Sequence, residues 1–454
     1  MRKQMRMPWQ SLRPVVLALG LVAGSGQSWS LDLVQAYQAA VASDATLRAA
    51  RAGATAAAER LPLAEAQWLP AVSAGGTAAA ADTTSVGGYN SYALALTARQ
   101  ALYRQSASLG VDQARVVRDE ASQLLQQESG NLAVRLASAY FDALLARDQQ
   151  RFIASQKDFV QTQLDAARKA LAAGSGTRPD IDDAQARLDA TAVAELQVAQ
   201  NVAYSQRQLE ALVHQPVTAL ANVDATQMQA LLADTAAPAP LDFSLSEWQA
   251  KAQANSPERQ LAALRVKEAS VNGALAQAAT SPTLDLVAQV ARNASDTLST
   301  VNTTYTTTSL GISFSLPLYA GGYSRAANRQ TVAALAQAEA NLQAVEEDIA
   351  LRVQREYQGV AEGVLRIRAG ARAAESAERL VASSRRAFEG GVRTRVDILN
   401  AEDKRQTALR DLAQARYDYL KATVRLSALA GQDCSLTLQT LNAWLVLPPA
   451  GGNP

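Results

Sequence analysis

Two short segments hold the residues best placed to do chemistry. Gly174-x-x-Thr177-Arg178-x-Asp180-Ile181-x-x-Ala184 is matched by Gly391-x-x-Thr394-Arg395-x-Asp397-Ile398-x-x-Ala401. In each, a carboxylate falls where a helical hairpin would reverse. An Asp beside a helix start satisfies orphan amide donors, contributing about 1 kcal/mol. Arg393 and Arg395 lie in the second segment, as cations able to pair with these acids.

Other chemistry finds little material. His214 is the single histidine and Cys434 the single cysteine, so no disulfide within the chain, His-based metal cluster or Ser-His-Asp triad is expected. No Gly-rich phosphate loop or nucleophile elbow accompanies them, and the chain reads as a non-enzyme without a cofactor. His214 precedes Gln215-Pro216, where helix capping accounts for it, and Cys434 reads as a small apolar residue.

The first thirty residues read as a secretory leader. Arg2, Lys3, Arg6 and Arg13 precede an apolar run, Val15 to Ala23, well short of the ~20 residues of a membrane-spanning helix. Ser28 and Ser30 are placed as a cleavage site before Leu31. Without the four leader cations the formal charge falls from +1 to about −3, which gives no footprint for nucleic acid. After Leu31 no apolar stretch reaches transmembrane-helix length, which leaves a periplasmic protein or one held in the outer membrane by strands.

The elements that position the acids come in two copies. Leu33 to Pro70 corresponds to Leu245 to Pro282, with Ser43-Asp44-Ala45-Thr46 on Asn255-Ser256-Pro257-Glu258. Leu102-Tyr103 falls on Leu318-Tyr319, and Arg135 and Tyr140 on Arg352 and Tyr357. These ordered blocks, with the tip segments, recur at an offset drifting only from about 212 to about 217 residues, the mark of an internal repeat. Each copy predicts a helix (31–67; 246–280), two strands (71–80 and 91–103; 283–293 and 307–319) and a long helix (106–172; 323–388). A Gly-containing turn and a returning helix (181–213; 397–430) complete it. The organisation is a leader over 1–30, repeat one over 31–213, a linker over 214–245, repeat two over 246–430 and a tail over 431–454.

Hydrophobic spacing sharpens both element types. Leu335, Ala338, Leu342, Val345 and Ile349 alternate spacings of three and four, as do Leu409, Leu412, Arg416, Tyr419, Thr423, Leu426 and Ala430, which is a coiled-coil seam. Along the last strand Leu310, Ile312, Phe314, Leu316 and Leu318 share one face and Gly311, Ser313 and Ser315 the other. Such alternation over about ten residues is the signature of an outer-membrane barrel. Four strands are too few to close one, so several chains must share it: two would give eight strands and three would give twelve.

The chain resembles the TolC family of outer-membrane efflux and secretion channels over essentially its whole mature length. The likeness rests on the duplicated plan, Asn255-Ser256-Pro257-Glu258, Leu69-Pro70, Leu316-Pro317-Leu318-Tyr319-Ala320-Gly321-Gly322 and, above all, the segment Gly391 to Ala401. It implies a mixed α and β membrane protein, a homotrimer whose twelve strands form an outer-membrane barrel within outer-membrane lipid. Twelve helices would continue it as a periplasmic α-barrel closed at its tip, with an equatorial belt from residues around 214–245 and from the tail. A periplasmic adaptor and an inner-membrane ABC or proton-driven transporter would open the tip for an exported substrate. Asp180 and Asp397 would then face one another across the pore, with Arg393 and Arg395 tying tips together. Two positions depart from the family: its second acid is here Asn400, and a tyrosine that bonds the opposing acid is here Phe388, without a hydroxyl. The lack of a lipidation cysteine resembles secretion-type members. The competing reading is a periplasmic coiled-coil adaptor without a barrel.

Overall fold

The computed structural model describes residues 30–84, 87–217, 219–224, 226, 228, 244–295 and 303–446. Nearly all of the expected leader, most of the 214–245 linker, part of the stretch between the last two expected strands and the end of the tail lie outside the described residues. The first half comprises β1 (Ser30–Leu31), α1 (Leu33–Ser43), α2 (Ala45–Ala58), α3 (Arg60–Glu65), β2 (Ala71–Thr83), β3 (Gly87–Arg104), α4 (Gln105–Ala172) and α5 (Arg178–Val213). Between the halves lie β4 (Ala219–Leu220) and β5 (Asn222–Val223). The second half comprises α6 (Leu245–Asn255), α7 (Pro257–Ala278), β6 (Thr283–Ser295), β7 (Thr303–Ser315), α8 (Tyr323–Glu389), α9 (Arg395–Leu429), α10 (Cys434–Asn442) and β8 (Leu445–Val446).

The single helices expected over 31–67 and 246–280 are both broken, at matched places. Asp44 leaves the helical region (φ −60°, ψ 123°) and its carboxylate accepts the Leu47 N–H at 2.7 Å, starting a new helix. In the second half the break falls at Ser256 (φ −57°, ψ 122°), because the residue before a proline is pushed out of the α region and Pro257 suits a first helical position. The long helices are unbroken: α4 has 68 residues and α8 has 67. At about 1.5 Å per residue each is a rod of ~100 Å.

The strands form one antiparallel sheet in the order β2-β3-β6-β7, leaving β2 and β7 as its edges. Register sorts the side chains by face. Leu96 lies opposite Ala74 and Val290, while Leu284, Leu286 and Ala288 lie opposite Phe314, Ile312 and Leu310. On the other face Thr97 lies opposite Ser73 and Gln289, and Asp285 opposite Ser313. None of the described residues covers the apolar face: Leu94, Leu310, Ile312 and Phe314 are all at least 64% exposed. The strand expected to reach 319 stops at Ser315. Pro317 lacks the amide a ladder needs.

The core gathers around the waists of the long helices. Tyr140, Phe141, Leu136, Tyr419 and Leu426 are fully buried there with Leu33, Leu220, Met228 and Leu438 from the flanking segments. The Tyr140 hydroxyl lies 3.0 Å from the carbonyl of Leu31 and 3.2 Å from that of Ala221. Leu33 N–H donates to Asn442 Oδ1 at 3.1 Å. The segment at Leu31–Leu33, Ala221 and Asn442 are thus stitched together at the level of Tyr140.

Candidate functional site

The long helices end at two tips built on the same plan. Past α4 the chain reverses at Gly174 (φ 75°), and past α8 at Gly391 (φ 74°), a left-handed conformation that glycine adopts without strain. Ser175 N–H returns to the Ala170 carbonyl and Val392 N–H to the Ala387 carbonyl, both at 2.9 Å, closing Schellman-type caps. The first tip is also wound close, since a Cβ on Gly176 would lie 2.7 Å from Leu171 N.

Each acid caps the helix that leaves its tip. Thr177 donates from N and from Oγ1 to Asp180 Oδ2 at 3.2 and 2.6 Å. Thr394 donates likewise to Asp397 Oδ2 at 2.8 and 2.9 Å, and Asp397 N–H returns to Thr394 Oγ1 at 3.3 Å. The Thr394 backbone N–H, then its hydroxyl, holds the Asp397 carboxyl below the usual carboxylate range, and nearby Arg393 adds to this.

The arginines are engaged elsewhere within the chain. Arg393 Nη1 donates to Ser384 Oγ, a fully buried hydroxyl of α8, at 3.1 Å. Arg395 places its guanidinium 4.8 Å from the Phe388 ring centroid, so two of the residues singled out from the sequence meet as a cation–π pair. Among the described residues no ion pair joins Arg393 or Arg395 to Asp180 or Asp397.

Asn400 belongs to a cluster that spacing alone does not disclose. Its Oδ1 accepts from Arg187 Nη2 at 2.9 Å, while Arg187 Nη1 donates to Asp403 at 2.6 Å and Nε to Asp183 at 3.0 Å. Gln156 of α4 reaches the other oxygen of Asp403 at 2.9 Å. Arg187 therefore ties the first hairpin to the second just above the tips. The Asp183–Arg187 spacing of four is legible on a helix; partners in α9, over two hundred residues on, are not. Between Asn400 and Asp403 in the same turn, buried Glu402 is held by Arg405, whose Nε reaches both carboxylate oxygens at 3.1 Å, and by Gln406 at 2.9 Å. A buried carboxylate so fully bonded is a packing element.

This geometry offers no nucleophile with a base, and no group of three metal-ligating side chains occurs among the described residues. What it offers is two charged, capped hairpin tips at the far end of ~100 Å rods from a sheet with one apolar and one polar face.

Known proteins share the arrangement. Residues 36–213 and 248–432 match the outer membrane efflux protein family. The proteases secretion protein PrtF of Dickeya chrysanthemi is 27% identical over 449 residues, covering 96% of both chains. The alkaline protease secretion protein AprF of Pseudomonas aeruginosa is 32% identical over 350 residues, 76% of this chain and 70% of that one. In fold, the chain is similar to CusC (TM-score 0.76, 15% identity, 89% of this chain and 93% of that one). It is also similar to VceC of Vibrio cholerae (TM-score 0.73, 17% identity, 88% and 96%). These matches favour a channel over the adaptor reading. The chain belongs to the outer membrane efflux protein family, and it is an outer-membrane export channel with a long helical part in the periplasm.

Proposed function

We propose that three copies of this chain form one conduit, the exit duct of a type I protein secretion system. The observation that carries this reading is the sheet. It has four strands, an apolar face that suits lipid and not water, and two free edges that lipid does not tolerate in a single chain. Three copies would close a twelve-stranded barrel with Leu310, Ile312 and Phe314 toward lipid and Ser309, Ser313 and Ser315 toward the lumen. The two halves then act as duplicated units, each giving a hairpin to the ring of helices.

In that ring the six tips converge. Asp180 and Asp397 cap their helices and also line the narrowest passage, giving it a cation preference that Asn400, in place of a second acid, keeps weak. Arg393 and Arg395 brace neighbouring tips, and Phe388 serves as a platform for Arg395 without a hydroxyl of its own. A periplasmic adaptor and an inner-membrane transporter, an ABC protein in the secretion reading, engage the tips and open them. Protein cargo is favoured because two relatives, aligned over most of this chain, are named for protease secretion.

Removing the channel from its own cell tests the cargo. Secreted protease should vanish from the medium while sensitivity to small toxic compounds changes little. The reverse pattern would move the assignment to small-molecule efflux.

A further inference from the structure

Charge is scarce on the sheet, so each charged side chain on its polar face carries weight. Thr97 and Arg99 of β3, Asp285 and Gln289 of β6, and Ser309 and Ser313 of β7 share that face by register. Arg104, at the foot of β3, turns to it as well, its Nη2 donating to both oxygens of Asp285 at 3.0 Å. Asp285 is the one acid on the face among the described residues, and it is already neutralised.

Arg99 is left over. Across the strands it lies opposite Ala71 and Val287, and Val287 lies opposite Gly311. Its side chain is exposed, and no ion pair joins it to another described residue.

We infer that Arg99, repeated by each copy, forms a basic collar inside the lower barrel that binds carboxylate-rich segments of the cargo in passage. This deepens the export reading and rests on the barrel proposed above.

Closure of the barrel leaves the cation unpaired. With β2 and β7 as the free edges, β2 of one copy joins β7 of the next. No residue of β7 is charged, so the neighbouring strand brings no acid toward Arg99. Arg99 and Arg104 then outnumber Asp285 in every chain, and threefold repetition turns the surplus into a ring. Rings of arginine or lysine are how pores favour anions.

Position decides what the collar meets. Arg99 is level with Val287, roughly 14 Å along β6 from Thr283 at the end of the sheet. Twelve strands about 4.8 Å apart and tilted by about 40° set the backbone roughly 12 Å from the axis. An arginine's long stem crosses much of that radius, and the ~8 Å screening length of physiological salt covers the rest. A polypeptide threading the lumen therefore passes within reach of three guanidiniums, whose planar forks pair with carboxylates. The tips carry the opposite charge at Asp180 and Asp397, so cargo passes from a carboxylate-lined entrance to a guanidinium-lined exit.

The test uses the assembled trimer in phospholipid vesicles, with Thr97→Cys as a reporter beside Arg99 in a Cys434→Ala background. Two membrane-impermeant thiosulfonates of similar size, one bearing a sulfonate and one a quaternary ammonium, read the local potential through their relative rates. Arg99→Gln should lower the ratio of anionic to cationic labelling several-fold, while Arg99→Lys should keep it. Polyglutamate should slow labelling at 97 several-fold with Arg99 in place and hardly at all in Arg99→Gln; polylysine of equal length should not protect. A ratio unmoved by Arg99→Gln, or equal protection by the two polymers, would overturn the inference. Labelling at 97 by neither charged reagent, in particles with the mass of a trimer, would show that the polar face lines no water-filled lumen, and the barrel reading itself would fail.

Discussion

The two return helices, α5 and α9, hold matched places in the two hairpins yet live in different surroundings. α9 packs on both α8 and α4, and buries Ile398, Leu412, Tyr417, Tyr419, Val424 and Leu426. α5 packs chiefly on α4 and buries only Ala184, Thr191, Ser205, Leu209 and Val213 among its described residues. Its Val193, Leu196 and Tyr204 are 59%, 68% and 64% exposed. Glycine is part of the reason. Gly359, Gly363 and Gly370 of α8 let α9 come close, since a Cβ on each would meet Ala422, Tyr419 and Leu412 at 3.5, 3.1 and 3.4 Å. The matched positions in α4 are Asp142, Ala146 and Ile153. One sequence plan used twice thus gives a pillar inside the chain and a helix whose apolar stripe is left for something outside it. Under the proposed trimer, that something is a neighbouring chain.

The largest effect should come where the chain is least complete by itself. Ile312→Arg puts a charge on the uncovered apolar face and should cost about 2–4 kcal/mol near the bilayer midplane. Ser313→Arg, on the polar face, should be tolerated far better. Membrane insertion and heat-modifiable migration of the two variants would show it, and equal loss for both would contradict the face assignment.

Next comes the seam beneath α9. Gly363→Leu must push against Tyr419 and should destabilise by about 1–3 kcal/mol, as overpacked cores do. Gly130 of α4 has open space around its Cβ direction, so Gly130→Ala should be neutral or stabilising by roughly 0.5–1 kcal/mol. Thermal unfolding in detergent would sort the pair, and similar midpoints would show that close packing of α9 is not what distinguishes the hairpins.

Much of this was readable from residue order and some was not. A repeat of 3.5 and an alternation of two are backbone geometries written into side-chain choice. The long helices therefore fell within a residue of where periodicity placed them, while the last strand, expected over 307–319, runs from Thr303 to Ser315, because Pro317 ends the ladder early. The helix breaks at Asp44 and Ser256 were open to the same reading, through a capping residue and a proline. The Arg187 cluster was not, since an ion pair between helices two hundred residues apart leaves no local pattern. At the tips the sequence located the acids and the turn, while the Thr394 cap, the Arg393–Ser384 bond and the Arg395–Phe388 stack depend on rotamers that spacing does not encode.

Smaller effects belong to the tips. Arg187→Ala removes the tie between hairpins; with these side chains partly exposed, the loss should be at most about 1 kcal/mol. Hydrogen exchange should rise in the lower part of α5 and barely in α9, which is otherwise buried. The smallest is a pH effect at Asp397. Its carboxyl is lowered in the folded chain, so the cap's contribution is complete above the ordinary value of 3.8 and is lost as pH falls through the lowered one. The first turn of α9 should therefore fray in acid, and Asp397→Asn should abolish that dependence in exchange measurements.

By itself, this chain is proposed to be one third of a channel. Native mass spectrometry of the full-length protein released from detergent tests it most directly. Three chains per particle is the expected mass; a stable monomer or a dimer would contradict the account.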